Sequence, residues 1–354
     1  MPHHVDTYWS FRSPYSYLAT PRMVALAAEY KVEFTIKPVY PIAVRIDGFF
    51  KRANPLWAPY LMRDTARVAQ INGLPYRWPR PDPVLMDIKT GEVPSEQPHI
   101  YRLTQLGQVA AEMGRGLAFV SEVSTLIWSG HTDDWHLGDH LAKATARAGL
   151  DLARMDAIVV AEGARLHEAI ENNQKALQQA GHWGVPTFVH QGEPFFGQDR
   201  LDALMWRMQS TGLKHRDNPP VTPEFLCGTW RLDRWELWRD GAFSRLPLGE
   251  RGTGVLIYER QGRMAGFLQH TDWHKAPAGQ KPASTDFFAY SGQWRLEGKD
   301  VVHAIDHASI GAWTGQEVRR AARRTAADGL ELIAPPETNA KGQVNSNILH
   351  WRRA

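Results

Sequence analysis

Cysteine is nearly absent from this chain of 354 residues, and Cys227 is the only one. A disulfide or a dithiol redox couple needs two cysteines, so this chain alone can carry neither. Long hydrophobic runs are also lacking, because no stretch approaches the ~18 apolar residues of a membrane span and no apolar leader opens the sequence. We therefore predict a cytoplasmic protein that does not enter membranes.

An excess of charge of either sign is lacking too, because 41 Lys and Arg face 38 Asp and Glu, giving a formal net charge of +3. Such a balance argues against nucleic-acid binding. One basic run stands out, and we interpret it as a solvated face: Arg319, Arg320, Arg323 and Arg324. Walker and dinucleotide-binding glycine motifs do not occur.

What the chain does contain falls into two halves, separated by the polar, proline-rich segment 215–223. The first half has strand-like runs at 5–10, 32–40 and 187–190, the last of which continues as a hairpin. Between and after them apolar residues recur at helical spacing over residues 17–30, 57–72, 100–113, 118–128, 137–149, 152–180 and 199–210.

The second half consists of short aromatic and branched runs, as expected for an antiparallel barrel or sandwich. The runs are separated by the turn signals Asp240-Gly241, Gln261-Gly262, Glu297-Gly298 and Asp328-Gly329. Together the two halves predict a first domain at 1–212, a linker at 213–224 and an all-β second domain at 225–354.

The start of the first helix carries a candidate site. A strand ends near Ser10, Ser13 is a good N-cap, and Pro14 suits the first helical turn. The Ser13 hydroxyl would then lie beside free backbone N–H groups at the positive end of a helix dipole, where an anion such as a thiolate is stabilised. The alternative is that Ser13 only caps a helix.

A second segment adds to this site. Pro186 stands at the entry of a strand, where a cis Val185–Pro186 bond would expose the Val185 backbone to a ligand. Farther along, Gly197 precedes polar residues at a helix start, where Asp199 can cap the helix or bind an ammonium group.

Residues 5–210 resemble the 2-hydroxychromene-2-carboxylate isomerase and kappa-class glutathione transferase family, a branch of the DsbA-type thioredoxin fold with a helical insertion. The resemblance rests on Ser13-Pro14-Tyr15-Ser16-Tyr17-Leu18, Asn54-Pro55, Arg63-Asp64, Arg67, Gly73-Leu74-Pro75, Gly184-Val185-Pro186-Thr187-Phe188 and Phe196-Gly197-Gln198-Asp199-Arg200. It implies an α/β thioredoxin fold for the first domain and glutathione as the cofactor.

The resemblance also implies roles for single residues. Ser13 and Ser16 stand where DsbA-type enzymes carry the two cysteines of their redox motif, and Ser13 would hydrogen-bond the glutathione sulfur as the catalytic residue. Asn54 would contact glutathione through its polar side chain. Kappa-class members carry a lysine shortly after the Asn-Pro segment, where this chain has Trp57 or Arg63.

The remaining glutathione contacts implied by the resemblance lie near the second segment. The Val185 backbone would pair with the cysteinyl part of the tripeptide, with Pro186 cis. Gln198 and Asp199 would hold the γ-glutamyl end.

The second half resembles a bacterial lipocalin-like domain family, through Gly228-Thr229-Trp230, Gly254-Val255-Leu256-Ile257-Tyr258, Tyr290-Ser291-Gly292-Gln293-Trp294 and Leu349-His350-Trp351-Arg352. This implies a small antiparallel barrel. Either the barrel encloses an apolar cavity or aromatic side chains fill it.

Histidines and the cysteine suggest no metal centre. His303 and His307 would share one face of a strand but lie roughly 13 Å apart along it, too far for one ion. A denser cluster, which we interpret as helix-start and surface residues, consists of His131, Asp133, Asp134, His136, Asp139 and His140. We interpret Cys227 as a small buried hydrophobe rather than a nucleophile.

We therefore predict a glutathione-dependent isomerase that adds a thiolate reversibly to an activated double bond of a small hydrophobic or aromatic substrate. The alternatives are a kappa-like glutathione S-transferase, a non-catalytic protein that binds a small hydrophobic ligand, and a scaffold. Neither nucleic acid nor a membrane is an expected partner, and the sequence leaves open whether the chain forms a homodimer.

Overall fold

The computed structural model describes residues 2–87, 90–217, 219–275, 287–325 and 328–354. The chain divides into two compact units, Met1–Lys214 and His215–Ala354. The division falls between Lys214 and His215. Asn218, in the segment predicted as a linker, lies outside the described residues. Across the described ranges, no helix has the length and apolar character needed to cross a membrane.

The first unit is an α/β structure. Its strands are β1 (His3–Trp9), β2 (Val32–Pro38), β3 (Thr187–His190) and β4 (Glu193–Phe196). Its helices are α1 (Pro14–Glu29), α2 (Ile42–Arg45), α3 (Phe49–Arg52), α4 (Trp57–Ile71), α5 (Ile100–Glu112), α6 (Gly116–Trp128), α7 (His140–Arg147), α8 (Leu152–Gln179) and α9 (Leu201–Ser210).

The four strands form one sheet in the order β2-β1-β3-β4. Strand β1 pairs in parallel with β2, so that Val5 lies opposite Phe34, and antiparallel with β3, so that Thr7 lies opposite Phe188. Along the chain, the unit consists of a β-α-β unit, a long helical insertion and a final β-hairpin followed by a helix. This is the thioredoxin-like arrangement expected from the sequence.

Buried aromatic residues hold the loop that follows β1. Trp9 and Phe11 are fully buried and meet edge to face, with ring centroids 4.7 Å apart. The Trp128 indole N–H donates to the Phe11 carbonyl at 2.9 Å, and the Trp9 indole N–H donates to the Ser16 carbonyl at 3.2 Å. The chain is therefore fixed on both sides of Ser13.

The second unit is built almost entirely of strands, preceded by the short helix α10 (Pro223–Leu226). The strands are β5 (Gly228–Arg239), β6 (Ala242–Arg245), β7 (Thr253–Tyr258), β8 (Arg263–Gln269), β9 (Phe287–Glu297), β10 (Asp300–Ala308), β11 (Glu317–Arg324), β12 (Gly329–Ile333), β13 (Glu337–Thr338) and β14 (Val344–Arg353).

Eight of these strands close into an antiparallel barrel. They follow the order β5-β7-β8-β9-β10-β11-β12-β14, and β14 pairs again with β5. Trp230 is fully buried and its indole N–H donates to the Leu226 carbonyl at 2.8 Å, so that the ring plugs the barrel next to α10. This confirms the predicted lipocalin-like barrel.

The structure corrects two interpretations of the second half. The arginine run lies on β11, where successive side chains point to opposite faces, so it is not one solvated patch. Arg324 is buried and Arg320 is half-buried, whereas Arg319 and Arg323 pair outside the barrel with Glu297 and Glu331.

The second correction concerns the two histidines of β10. A β-bulge between Ile305 and His307 inserts one residue into the pairing with β9. His303 is consequently buried and His307 exposed, so the two do not share a face.

Candidate functional site

A cavity of about 840 Å³ lies in the first unit, bounded by the start of α1, the helices α2 to α4 and the entry of β3. Its volume is within the range of small-molecule and cofactor sites. Among the predicted site residues, Ser13 and Val185 line it.

Ser13 is the N-cap of α1, with extended backbone angles and Pro14 as the first helical residue. Its Oγ accepts the Ser16 backbone N–H at 3.2 Å and donates to the Val185 carbonyl oxygen at 3.3 Å. The hydroxyl thus joins the helix start to the strand entry, at the positive end of the α1 dipole.

Two further serines lie near Ser13. Ser10 is buried and lines the cavity, and its Oγ has no hydrogen-bond partner among the described residues. Ser16 is also buried and its Oγ is likewise without a partner there, but it does not reach the cavity.

The strand entry has the geometry expected from the sequence. The Val185–Pro186 peptide bond is cis, which confirms that prediction. The Gly197 N–H donates to the Pro186 carbonyl at 2.9 Å and so connects this segment to the turn that precedes α9.

Four predicted residues lie outside the lining of the cavity: Asn54, Pro186, Gln198 and Asp199. The Asn54 side chain accepts the Leu56 N–H at 2.9 Å and closes a local turn. Gln198 accepts a hydrogen bond from Arg22 through its backbone carbonyl at 3.4 Å, and Asp199 is exposed and lies 3.5 Å from the Arg200 guanidinium.

The sequence did not reveal the charged residues of the lining, which are Arg12, Arg45, Lys51 and Asp82. Arg12 forms a bidentate ion pair with Asp82, with distances of 2.8 and 2.9 Å. Arg45 donates to the Trp183 carbonyl at 2.6 Å, and burial lowers its pKa to about 10. With three cations against one carboxylate, the described lining favours an anionic ligand.

Aromatic side chains form another part of the lining. Phe49 packs edge to face against Trp57 and is tilted against Trp183, with centroids 5.7 and 6.4 Å apart. Trp57 therefore belongs to the lining, whereas Arg63 donates to the Pro59 carbonyl on the exposed side of α4.

A family model described as a DSBA-like thioredoxin domain matches residues 4–209. The chain belongs to the DSBA-like thioredoxin family. A second model, described as a lipocalin-like domain, matches residues 227–354. No curated protein matches the sequence.

Solved structures resemble either half. A 2-hydroxychromene-2-carboxylate isomerase is 22% identical and matches 59% of this chain and 95% of its own, with a TM-score of 0.46. The cytosolic disulfide reductase DsbM from Pseudomonas aeruginosa with GSH is 16% identical over 58% of this chain and 99% of its own, at 0.38. A lipocalin-like protein from Bacteroides uniformis is 12% identical over 37% and 99%, at 0.23. At such identities the likeness concerns the fold alone.

The DSBA-like unit contains no cysteine, and the lone cysteine of the chain, Cys227, lies in the other unit. Cys227 is half-buried, packs against the barrel core, and burial raises its pKa. A raised pKa keeps the thiol protonated, which makes it a poor nucleophile.

Within the described residues, no three His, Cys, Asp or Glu side chains are arranged to hold a metal ion. In the predicted polar cluster at 131–140, Asp133 pairs with Arg77 and Asp139 pairs with Lys143. These carboxylates are therefore engaged in ion pairs.

Proposed function

We propose that this chain is a glutathione-dependent isomerase of the 2-hydroxychromene-2-carboxylate isomerase type. The observation that carries the proposal is the Ser13 hydroxyl, which lies at a helix N-terminus in a cationic, aromatic cavity where a redox enzyme of this fold would need a cysteine. A serine there can stabilise a thiolate brought by a ligand but cannot form a disulfide.

The described residues fit glutathione in charge and in hydrogen-bonding groups. The tripeptide carries two carboxylates and one ammonium group, and the lining has an excess of cations in Arg45 and Lys51. The Val185 carbonyl lies at the edge of the cavity, and Ser10 offers a buried hydroxyl without a protein partner. Asp199, at the adjoining turn, is exposed and would pair with the ammonium group.

The bond between Ser13 and Val185 suggests how binding would prepare the site. The Ser13 hydroxyl proton points to the Val185 carbonyl oxygen, which has two lone pairs and can also accept a ligand amide N–H. Rotation about the Cβ–Oγ bond would turn this proton to a thiolate bound beside Ser13, because a charged acceptor makes the stronger hydrogen bond. Ser13 would keep accepting the Ser16 N–H, so its oxygen would stay in place.

Bound glutathione would supply a thiolate that adds to an activated double bond and is eliminated after ring opening or bond rotation. Only a few per cent of a thiol with the ordinary pKa of about 8.5 is ionised at neutral pH. Ser13 and the N–H groups of α1 would increase that fraction, because both interact more strongly with the charged form. The aromatic wall of Phe49, Trp57 and Trp183 would hold the flat substrate.

The test compares Ser13→Ala with Ser16→Ala, a matched control whose hydroxyl does not line the cavity. We expect Ser13→Ala to lower turnover of 2-hydroxychromene-2-carboxylate about 100-fold while the Kd for glutathione changes only a few-fold. Ultraviolet absorbance of the bound thiolate should fall in Ser13→Ala and persist in Ser16→Ala. Equal turnover and equal thiolate absorbance in both variants would refute the proposed role of Ser13.

Thiol consumption separates isomerisation from transfer. An isomerase returns glutathione after each cycle, so the free thiol concentration measured with a thiol reagent should stay constant during turnover. If the thiol disappears in step with the substrate, the chain is a transferase instead.

A further inference from the structure

Four polar side chains meet inside the barrel: Tyr258, Tyr290, His303 and Arg320. The strand register places His303 on the inner face of the barrel, because it lies opposite the core residue Trp294. Arg320 on β11 lies opposite the core residue Val301 and therefore also faces inward. None of them takes part in the cavity of the first unit.

The histidine is neutral and bonds to both tyrosines. Burial and the Arg320 charge lower the pKa of His303 to about 3, so its ring carries one N–H and one acceptor nitrogen. The Tyr258 hydroxyl lies 2.7 Å from Nε2, and the Tyr290 hydroxyl lies 3.3 Å from Nδ1.

One of the two tyrosine O–H groups has no acceptor on the histidine ring. The neutral ring accepts from one tyrosine and donates to the other, and the second must then direct its own proton elsewhere. Tyr258 is fully buried, so it is the donor to the ring, because an unused proton there would be left without water or an acceptor. The unused O–H therefore belongs to Tyr290, which is half-buried and has no other partner among the described residues.

Arg320, on the same inner surface, also has N–H groups without an acceptor among the described residues. Its guanidinium bonds to the neighbouring Arg319 carbonyl at 3.0 Å and makes no ion pair with a described residue. Burial lowers the pKa of Arg320, although interactions with Tyr290, Tyr258 and Glu337 oppose this shift. A guanidinium has five N–H groups, so most of them are available to a ligand.

Aromatic rings adjoin these donors. Phe288 and Trp313 meet edge to face with centroids 4.6 Å apart, and Trp313 lies 6.0 Å from the Arg320 guanidinium. Tyr290, Trp313 and Arg320 are only half-buried, so part of each side chain stays accessible to a ligand. The absence of a Cβ at Gly266 makes room for the Tyr290 ring, because a Cβ there would lie 2.7 Å from it.

We propose that the barrel interior binds a small aromatic carboxylate, with the carboxylate on Arg320 and the Tyr290 hydroxyl and the ring against Phe288 and Trp313. The positive charge of Arg320 and the O–H of Tyr290 both favour an anionic ligand. A single guanidinium matches one carboxylate through two parallel hydrogen bonds, whereas a phosphate dianion would be left with uncompensated charge. The proposal stands independently of the reaction assigned to the first unit.

The test titrates the full-length protein with 1-naphthoate, 1-naphthamide and decanoate by isothermal titration calorimetry. The variants are Arg320→Met and, as a matched control on the outer face of the same strand, Arg319→Met. We expect Arg320→Met to weaken naphthoate binding to the barrel about 10- to 100-fold and Tyr290→Phe to weaken it several-fold. Arg319→Met should bind like wild type, and the uncharged amide should bind wild type about as weakly as naphthoate binds Arg320→Met.

Because the first cavity is also cationic, the same titrations are run in an Arg45→Met, Lys51→Ala background, which leaves the barrel unchanged. If Arg320→Met fails to fold, Arg320→Lys replaces it and should lose affinity because an ammonium lacks the planar fork. Naphthoate binding that is unaffected by Arg320 substitution, or absent from the wild type, would overturn the proposal. Tighter binding of decanoate than of naphthoate would overturn the assignment to aromatic acids.

Discussion

His303 lies inside the barrel with both ring nitrogens bonded to tyrosine hydroxyls, and burial holds its pKa near 3. The unfolded chain would protonate the same side chain below its ordinary pKa of about 6.5. Because the cation is excluded from the folded state, lowering the pH through this window favours unfolding.

We therefore predict that the barrel loses stability between pH 7 and pH 5. The contribution of His303 is about 2 kcal/mol of unfolding free energy, since the unfolded state gains a proton that the folded state lacks. Urea denaturation followed by tryptophan fluorescence at both pH values measures it. His303→Gln should show a smaller loss, and His307→Gln, at an exposed position, should behave like wild type. The same pH dependence in wild type and His303→Gln would contradict this prediction.

At the scale of single residues, the sequence predicted what depends on neighbouring positions. Ser13 could be assigned as a cap because the strand end, the proline and the apolar period all lie within a few residues of it. Lys51 and Arg45 could not be assigned to the cavity, because they lie on short helices whose position depends on tertiary packing. Asp82 could not be assigned either, because its place in the cavity depends on an ion pair with Arg12, 70 residues away in the sequence.

Among the secondary-structure elements, long periodic segments were predictable and local irregularities were not. The predicted helices at 57–72 and 152–180 correspond to α4 and α8, each bounded within one residue of the prediction. The bulge in β10 places His307 on the outer face of the barrel, and the residue types in that segment do not predict a bulge. The helices α2 and α3 have four residues each, too few for a periodic pattern.

The same bulge makes Gly292 on β9 sensitive to substitution. A Cβ there would lie 1.9 Å from the Ala304 carbonyl oxygen and 2.9 Å from its carbonyl carbon, and these backbone atoms are held by the sheet. We predict that Gly292→Ala lowers the unfolding free energy by about 2 to 3 kcal/mol, as overpacking does. Denaturation in urea provides the measurement.

Gly311→Ala is the control for this change, because a Cβ at that glycine meets no atom within 4 Å. Its unfolding free energy should differ from that of wild type by less than about 0.5 kcal/mol. Equal effects of the two substitutions would show that the close approach at Gly292 is relieved without cost.

At the scale of the whole molecule, the division into two folds was predictable because the hydrophobic period changes from helical to alternating at the proline-rich segment. Every residue that lines the large cavity lies between Ser10 and Phe196, within the first unit. The inner surface of the barrel is built entirely from the second.

We predict that residues 1–214 expressed alone bind glutathione with a Kd within about twofold of that of the full chain, since every residue of the cavity lining belongs to this unit. Residues 215–354 should show no such binding. Calorimetric titration of both fragments, after circular dichroism has confirmed that they fold, provides the measurement. Loss of binding by a folded 1–214 fragment would show that the site requires the barrel unit.

The pairing of β14 with β5 also bears on the order of events during synthesis. Trp230, near the start of the barrel, pairs with Arg353 at the far end of the last strand, so the barrel cannot close until almost all of it has left the ribosome. Contacts between residues so distant in the chain form slowly. The DSBA-like unit is complete by residue 214 and can fold well before that moment. Until the barrel closes, its unpaired strand edges are exposed, and a chaperone would be needed at this stage.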